Sequence, residues 1–297
     1  MTDRNGSLVA LAWGTVLLVS DLTDALFKAF SGRIPGNLPW AKVGLLAAGL
    51  VLSSLVKRLR PLRPFYFVTF VFFLALVLTG LARETSWWSG HFGGGGVSFT
   101  KGYSGIYILD CGVALAVLLA MWLVKRRRSE FYLVKGDLRA PIEPVRWLGI
   151  RKGESWRTFG WIFAVVAALA VAIPTVFSAH PAPGAAGRAA VLLPAVLLFA
   201  AINAFNEEVY FRASFLSTLV GVVGRGHALL IASAFFGLAH YLYGSPGGII
   251  GFLMTAFLGW ILAKSMLETK GFLWPWFIHF LSDAIVFLYY ALTFVRS

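Results

Sequence analysis

"AFNEEVYFRASF" (residues 204–215) closes an apolar run that begins near residue 189, and it sets Glu207, Glu208 and Arg212 where lipid-facing side chains are expected. Similar apolar runs fall at about 8–27, 41–56, 65–81, 104–124, 158–178, 228–243, 248–265 and 272–293. A helix needs about 20 residues to cross a bilayer, so the expected fold is all-α, a polytopic transmembrane helical bundle of eight or nine spans. Composition agrees. The 297 residues are 59% hydrophobic and only 13% charged, with a mean hydropathy of +0.78, whereas soluble domains carry about 25% charged residues. The first run has no small-residue cleavage site and continues into Asp21 and Asp24, so it reads as a retained helix rather than a removed signal peptide.

The formal net charge of +13 follows the loops. "KRLRPLR" (57–63) and "KRRR" (125–128) come directly after apolar runs, and residues 125–157 hold ten Lys or Arg against four acids. Such loops face the cytoplasm by the positive-inside rule and meet anionic headgroups there. The N-terminus is therefore expected to be cytoplasmic, with the lipid bilayer as a partner and no nucleic acid; the expected membrane is a bacterial cytoplasmic one. Cys111 is the sole cysteine, which rules out an intrachain disulfide.

The polar stretch suggests three parts: an N-terminal four-helix membrane region (1–124), a basic cytoplasmic loop (125–157) and a second membrane domain (158–297). The Gly-rich, aromatic "WWSGHFGGGGVSF" (87–99) reads as an interfacial loop on the opposite side. It lacks the strand and helix context of a phosphate loop. No internal repeat is evident, which weighs against an inverted-repeat transporter. Gly247, Gly251, Thr255, Gly259 and Ala263 recur every four residues, a small-residue stripe that lets neighbouring helices approach closely.

Three segments of the second membrane domain place ionisable groups at membrane depth. In "NEEVYFR", Glu208 and Arg212 stand at i and i+4, the spacing of a helical ion pair. Glu207 is turned by about 100° from Glu208 and projects elsewhere. A pair snorkelling at a helix end would account for Glu208 and Arg212 but not for Glu207. "AFFGLAHY" sets Phe236 and His240 at i and i+4, and "WPWFIHFLSDAIVF" does the same for His279 and Asp283. Asp283 can then accept the ring N–H of His279 and fix its tautomer. One buried histidine is ordinarily structural. Two of them with an aspartate and a carboxylate pair read as functional, because ionisable groups inside a membrane are costly.

With a cytoplasmic N-terminus and alternating crossings, a rise of 1.5 Å per residue sets Glu207 about 27 Å along its helix, near the cytoplasmic side. His240 and His279 then lie about 18 Å and 10 Å from that surface. All three can meet in the cytoplasmic half. Together they permit a carboxylate acting as general base towards water, with imidazole groups and the His–Asp pair stabilising an oxyanion. That is peptide-bond hydrolysis without a covalent nucleophile. Two histidines and a carboxylate, Glu207, His240 and His279, are equally a ligand set for zinc with an open position for water, although the helical H-E-x-x-H signature is absent.

The ordered motifs E-E-x-x-x-R, F-x-x-x-H and H-x-x-x-N/D on successive membrane helices resemble the CPBP family, which holds CAAX prenyl proteases of the type II, Ras-converting-enzyme kind and bacteriocin-processing relatives. Here they read "EEVYFR" (207–212), "FGLAH" (236–240) and "HFLSD" (279–283). The resemblance covers roughly residues 158–297. It implies an intramembrane endopeptidase, of glutamate type or metal-dependent, in which Glu207 activates water and His240, His279 and Asp283 complete the site, with Glu208, Arg212 and Phe236 supporting. Asp283 stands where the prenyl proteases have Asn, and an ionised Asp would make His279 more basic, favouring a metal-binding or proton-shuttling role. The implied substrate is a membrane-anchored protein or peptide, and zinc is the metal if one is bound. The residues alone leave two other classes open: a proton-coupled transporter with Glu207, His240 and His279 as a relay, and a non-enzymatic immunity or scaffold protein.

Overall fold

The computed structural model describes residues 3–94, 96–179, 184–244 and 247–294. Helices α1 (Asp3–Val19) and α2 (Asp21–Ser31) are followed by α3 (Leu38–Leu55), α4 (Arg63–Glu84) and α5 (Phe99–Lys125). After the basic loop come α6 (Trp156–Ala179), α7 (Leu193–Glu207), α8 (Ser214–Val223), α9 (Arg225–Tyr243), α10 (Gly248–Thr269) and α11 (Leu273–Phe294). Seven helices among the described residues are long and apolar enough to cross a membrane, and α1 with α2, bent by 53°, would make an eighth. The expected all-α membrane bundle is the observed one. Of the apolar runs, the one at 189–206 yields a 15-residue helix, α7, which starts only at Leu193, with proline in its first turn, and runs on through a π-helical turn into α8.

Local signals in the sequence set the boundaries. Ser20 breaks α1 from α2 and caps the latter, accepting the Leu22 N–H at 3.3 Å. Proline in the first turn begins α3, α4 and α7, where its missing N–H has no intrahelical use. Asp24, costly in an apolar helix, is paired with Lys42 of α3, which also donates to the Ser20 carbonyl at 3.0 Å.

The N-terminal helices pack against the motif-bearing segment. Phe72 of α4 stacks on Tyr210 with ring centroids 4.9 Å apart, and Phe65 and Phe235 flank Phe215 at 5.9 and 5.0 Å. On the other side α11 lies against α6 and α7. The small-residue stripe borders the tight α9–α10 contact: a methyl group on Gly237 would come within 2.7 Å of Ala256 Cβ and 2.9 Å of the Phe252 carbonyl, so the two backbones meet closely there.

The basic segment is folded onto the turn between α10 and α11. Phe272 N–H donates to the Val134 carbonyl and Asp137 N–H to the Thr269 carbonyl, both at 2.8 Å. The Trp274 indole donates to the Leu138 carbonyl at 3.1 Å. Glu268, nearly buried on α10, accepts the Trp156 indole N–H at 2.9 Å and pairs with Arg225 at 2.6 Å and Lys264 at 2.5 Å.

Candidate active site

The paired carboxylates straddle a change in helix geometry. Glu207 is the last residue of α7, and Glu208 opens a π-helical turn, Glu208–Ala213, before α8. Such wide turns recur at functional positions because they re-aim side chains within one helix. Glu208 and Arg212 are completely buried, with Glu208 Oε1 3.2 Å from Arg212 Nη1. The arginine therefore does not snorkel. None of its guanidinium nitrogens has an aligned hydrogen-bond acceptor, and its charge is met by Glu208 and by the Phe236 ring, whose centroid is 3.7 Å from the guanidinium carbon. A desolvated contact of this kind contributes about 2 kcal/mol. Gly259 makes room for it: an added methyl would sit 3.0 Å from the Phe236 ring and 3.5 Å from Arg212 Nη2.

Glu208 also reaches across to α11. Its Oε1 lies 2.8 Å from His279 Nδ1, so the ring N–H is held by Glu208. The expected partner, Asp283, is on the other side of the ring: its Oδ1 lies 3.6 Å from Nε2, with Glu207 Oε2 3.5 Å from the same atom. Both separations exceed a direct hydrogen bond. Glu208, at the start of the π turn, reaches Nδ1, while Asp283, four residues beyond His279 on α11, stands nearer Nε2.

Glu207 is oriented by a residue the sequence did not single out. Asn203, one turn earlier on α7, donates its amide to Glu207 Oε1 at 3.2 Å and to Asp283 Oδ2 at 3.0 Å. Its own oxygen accepts the Tyr107 hydroxyl of α5 at 3.1 Å. The i−4 spacing of Asn203 from Glu207 was the available signal, but the Tyr107 contact spans 96 positions and has no local trace. With Oε1 so occupied, Glu207 Oε2 is buried without a hydrogen-bond donor and faces His279 Nε2.

His240 meets this group through Phe236. Its Nδ1 lies 2.9 Å from the Phe236 carbonyl, and because a carbonyl can only accept, the proton sits on Nδ1 and leaves Nε2 of the neutral ring as an acceptor. Phe236 touches the His240 ring at 4.6 Å and the His279 ring at 5.6 Å between centroids. The structure thus brings Glu207, Glu208, His279 and Asp283 into one polar group, with Arg212 against Glu208 and His240 beside it across Phe236. Among the described residues no three His, Cys, Asp or Glu side chains form a group able to hold a metal ion. The expected zinc set of Glu207, His240 and His279 does not assemble as one.

The helical membrane fold carries all three motifs on the segment α7 to α11. Over that segment, residues 189–285 are similar to the family model described as Type II CAAX prenyl endopeptidase Rce1-like, which bears out the resemblance drawn from 207–212, 236–240 and 279–283. Helices α1 to α6 lie outside the matched residues. No curated protein and no solved structure compared with the chain matches it.

Proposed function

We propose that the chain hydrolyses a peptide bond in a membrane-anchored protein or peptide, with Glu207 as the base that activates water. The observation that carries this is the asymmetry of the Glu207 carboxylate: Oε1 is held by Asn203, whereas Oε2 is buried, has no donor and faces His279 Nε2 at 3.5 Å. A base needs one free oxygen in a fixed direction. Water bound to Oε2 loses a proton to it as its oxygen attacks the scissile carbonyl. His279, its Nδ1 held by Glu208, turns Nε2 towards the same space and handles the proton that must reach the leaving amine. Asn203 holds Glu207 and Asp283 in place through its amide.

Asp283 in place of Asn adds a third carboxylate beside His279, which favours proton transfer over a purely neutral donor role. His240, with Nε2 an acceptor while neutral, contacts the water or substrate rather than the carboxylates. The localisation expected from the basic loops, with 57–63 and 125–157 cytoplasmic, puts the site in the cytoplasmic half of the bilayer.

Comparing the termini of membrane proteins in cells carrying the wild type with those carrying Glu207→Gln tests the activity and identifies the substrate. Termini present only with the wild type are expected, and their reproduction by purified protein completes the assignment. Cleavage retained by purified Glu207→Gln would overturn it.

A further inference from the structure

A cleft of about 580 Å³ opens where the strap 134–139 crosses the first turns of α6 and α11. Three cations line it, Lys135, Arg139 and Arg157. All three side chains are exposed, and none has a carboxylate partner among the described residues. The single acid of the lining, Asp137, uses Oδ1 to accept the Arg139 N–H at 2.9 Å. A concentration of positive charge left uncompensated in a concavity, while Arg225 and Lys264 nearby are both paired with Glu268, points to an anionic ligand.

The backbone adds to this charge. Arg157 stands in the first turn of α6, and Leu273 and Trp274 in the first turn of α11; all three line the cleft. The Trp156 and Thr158 N–H groups are taken by the Ala140 and Ser155 carbonyls, so the backbone's contribution is the positive dipole ends of two long helices that both border the cleft.

The rest of the wall is aromatic, from Trp161, Trp274 and Phe277. Trp161 is 54% exposed, and the face of α6 that leads away from it, Ile162, Val165, Val166 and Leu169, is more than half exposed at every position. A soluble anion would have no use for that apolar continuation, whereas an amphiphile would. We propose that the cleft binds the phosphate headgroup of an anionic phospholipid, with the acyl chains lying along the exposed face of α6. The position fits, since tryptophan and basic side chains gather where a helix leaves the hydrocarbon for the headgroup layer.

Native mass spectrometry of the full-length protein in detergent, titrated with phosphatidylglycerol or with phosphatidylcholine of the same chain length, tests the proposal. Phosphatidylglycerol is expected to be retained at least about tenfold more strongly, since each basic side chain contributes about 1 kcal/mol near a phosphate. The double variant Arg139→Gln/Arg157→Gln, at exposed positions, should lose that preference while keeping the wild-type melting temperature, and Trp161→Ala should weaken retention of both lipids. Inorganic phosphate and a short peptide with a free C-terminal carboxylate serve as competitors. Failure of both to displace the lipid supports the proposal. Equal retention of phosphatidylglycerol by the double variant, or arginine-dependent binding of the carboxylate peptide with displacement of the lipid, would overturn it.

Discussion

Glu208 Oε1 lies 2.8 Å from His279 Nδ1, and the same oxygen is 3.2 Å from Arg212 Nη1. One buried carboxylate therefore both balances a buried cation and orients an imidazole on another helix. The adjacency of the two acids in the sequence becomes intelligible: Glu208 fixes the ring whose other nitrogen faces Glu207.

Removing the Glu208 carboxylate should cost stability first. Glu208→Ala leaves Arg212 fully buried with the Phe236 ring but no anion, and an orphaned buried charge costs about 3–5 kcal/mol. Glu208→Gln keeps an oxygen for the His279 N–H and should lose less stability, while still lowering turnover because the ring is held by a weaker acceptor. Thermal unfolding in detergent followed by tryptophan fluorescence measures the first effect and single-turnover cleavage the second. An alanine variant as stable as the wild type would remove the pairing argument.

Asn203 should behave as a positioning residue for Glu207 and Asp283. In Asn203→Ala both carboxylates lose their shared donor, and a misplacement of about 1 Å at a reacting group can cost about 10²-fold in rate. The loss is expected in kcat with KM little changed. Tyr107→Phe leaves only the Asn203 oxygen unpaired and should cost about 1 kcal/mol. A fall in stability with unchanged kcat would assign Asn203 to packing alone.

The sequence announced the membrane bundle because apolar runs of span length are a local property, and the three motifs were visible because each lies within one helix turn or so. Pairings across helices were not. Whether Asp283 or Glu208 holds the His279 N–H depends on the rotation introduced by the π turn, which no spacing rule reveals. Likewise Phe236 is legible as a motif position, but its place against Arg212, His240 and His279 at once is a matter of tertiary packing. The polar segment 125–157 looked like a divider by composition, and only the backbone bonds of Val134 and Asp137 to the α10–α11 turn make it a strap.

Glu268 should prove to be the anchor of that strap. Its carboxylate accepts from the Trp156 indole and pairs with two cations, and the side chain is only 5% exposed. Glu268→Ala would leave Lys264, itself 4% exposed on its side chain, without its closest counter-charge. Limited proteolysis should then cut within 126–155 at least about tenfold faster than in the wild type, since a loss of about 1.4 kcal/mol in a local opening equilibrium raises the open fraction tenfold. Unchanged cleavage would mean that the backbone contacts hold the strap by themselves.

Those backbone contacts depend on a close approach of two glycines, and a matched pair of substitutions isolates it. Gly136 has φ +76°, and an added methyl would stand 2.6 Å from both Gly271 Cα and the Thr269 carbonyl oxygen. Gly149 has nearly the same backbone, φ +74°, but an added methyl there meets nothing within 4 Å. Both alanine variants carry the cost of a left-handed residue, about 1–2 kcal/mol. Only Gly136→Ala must also push the strap away from the α10–α11 turn, which overpacking data put at about 1–3 kcal/mol. Gly136→Ala should therefore unfold at a lower temperature than Gly149→Ala and should lose activity as the start of α11, six residues before His279, shifts with the turn. Equal melting temperatures for the two variants would show that the strap yields freely and that the close approach of Gly136 to Gly271 contributes nothing to holding α11.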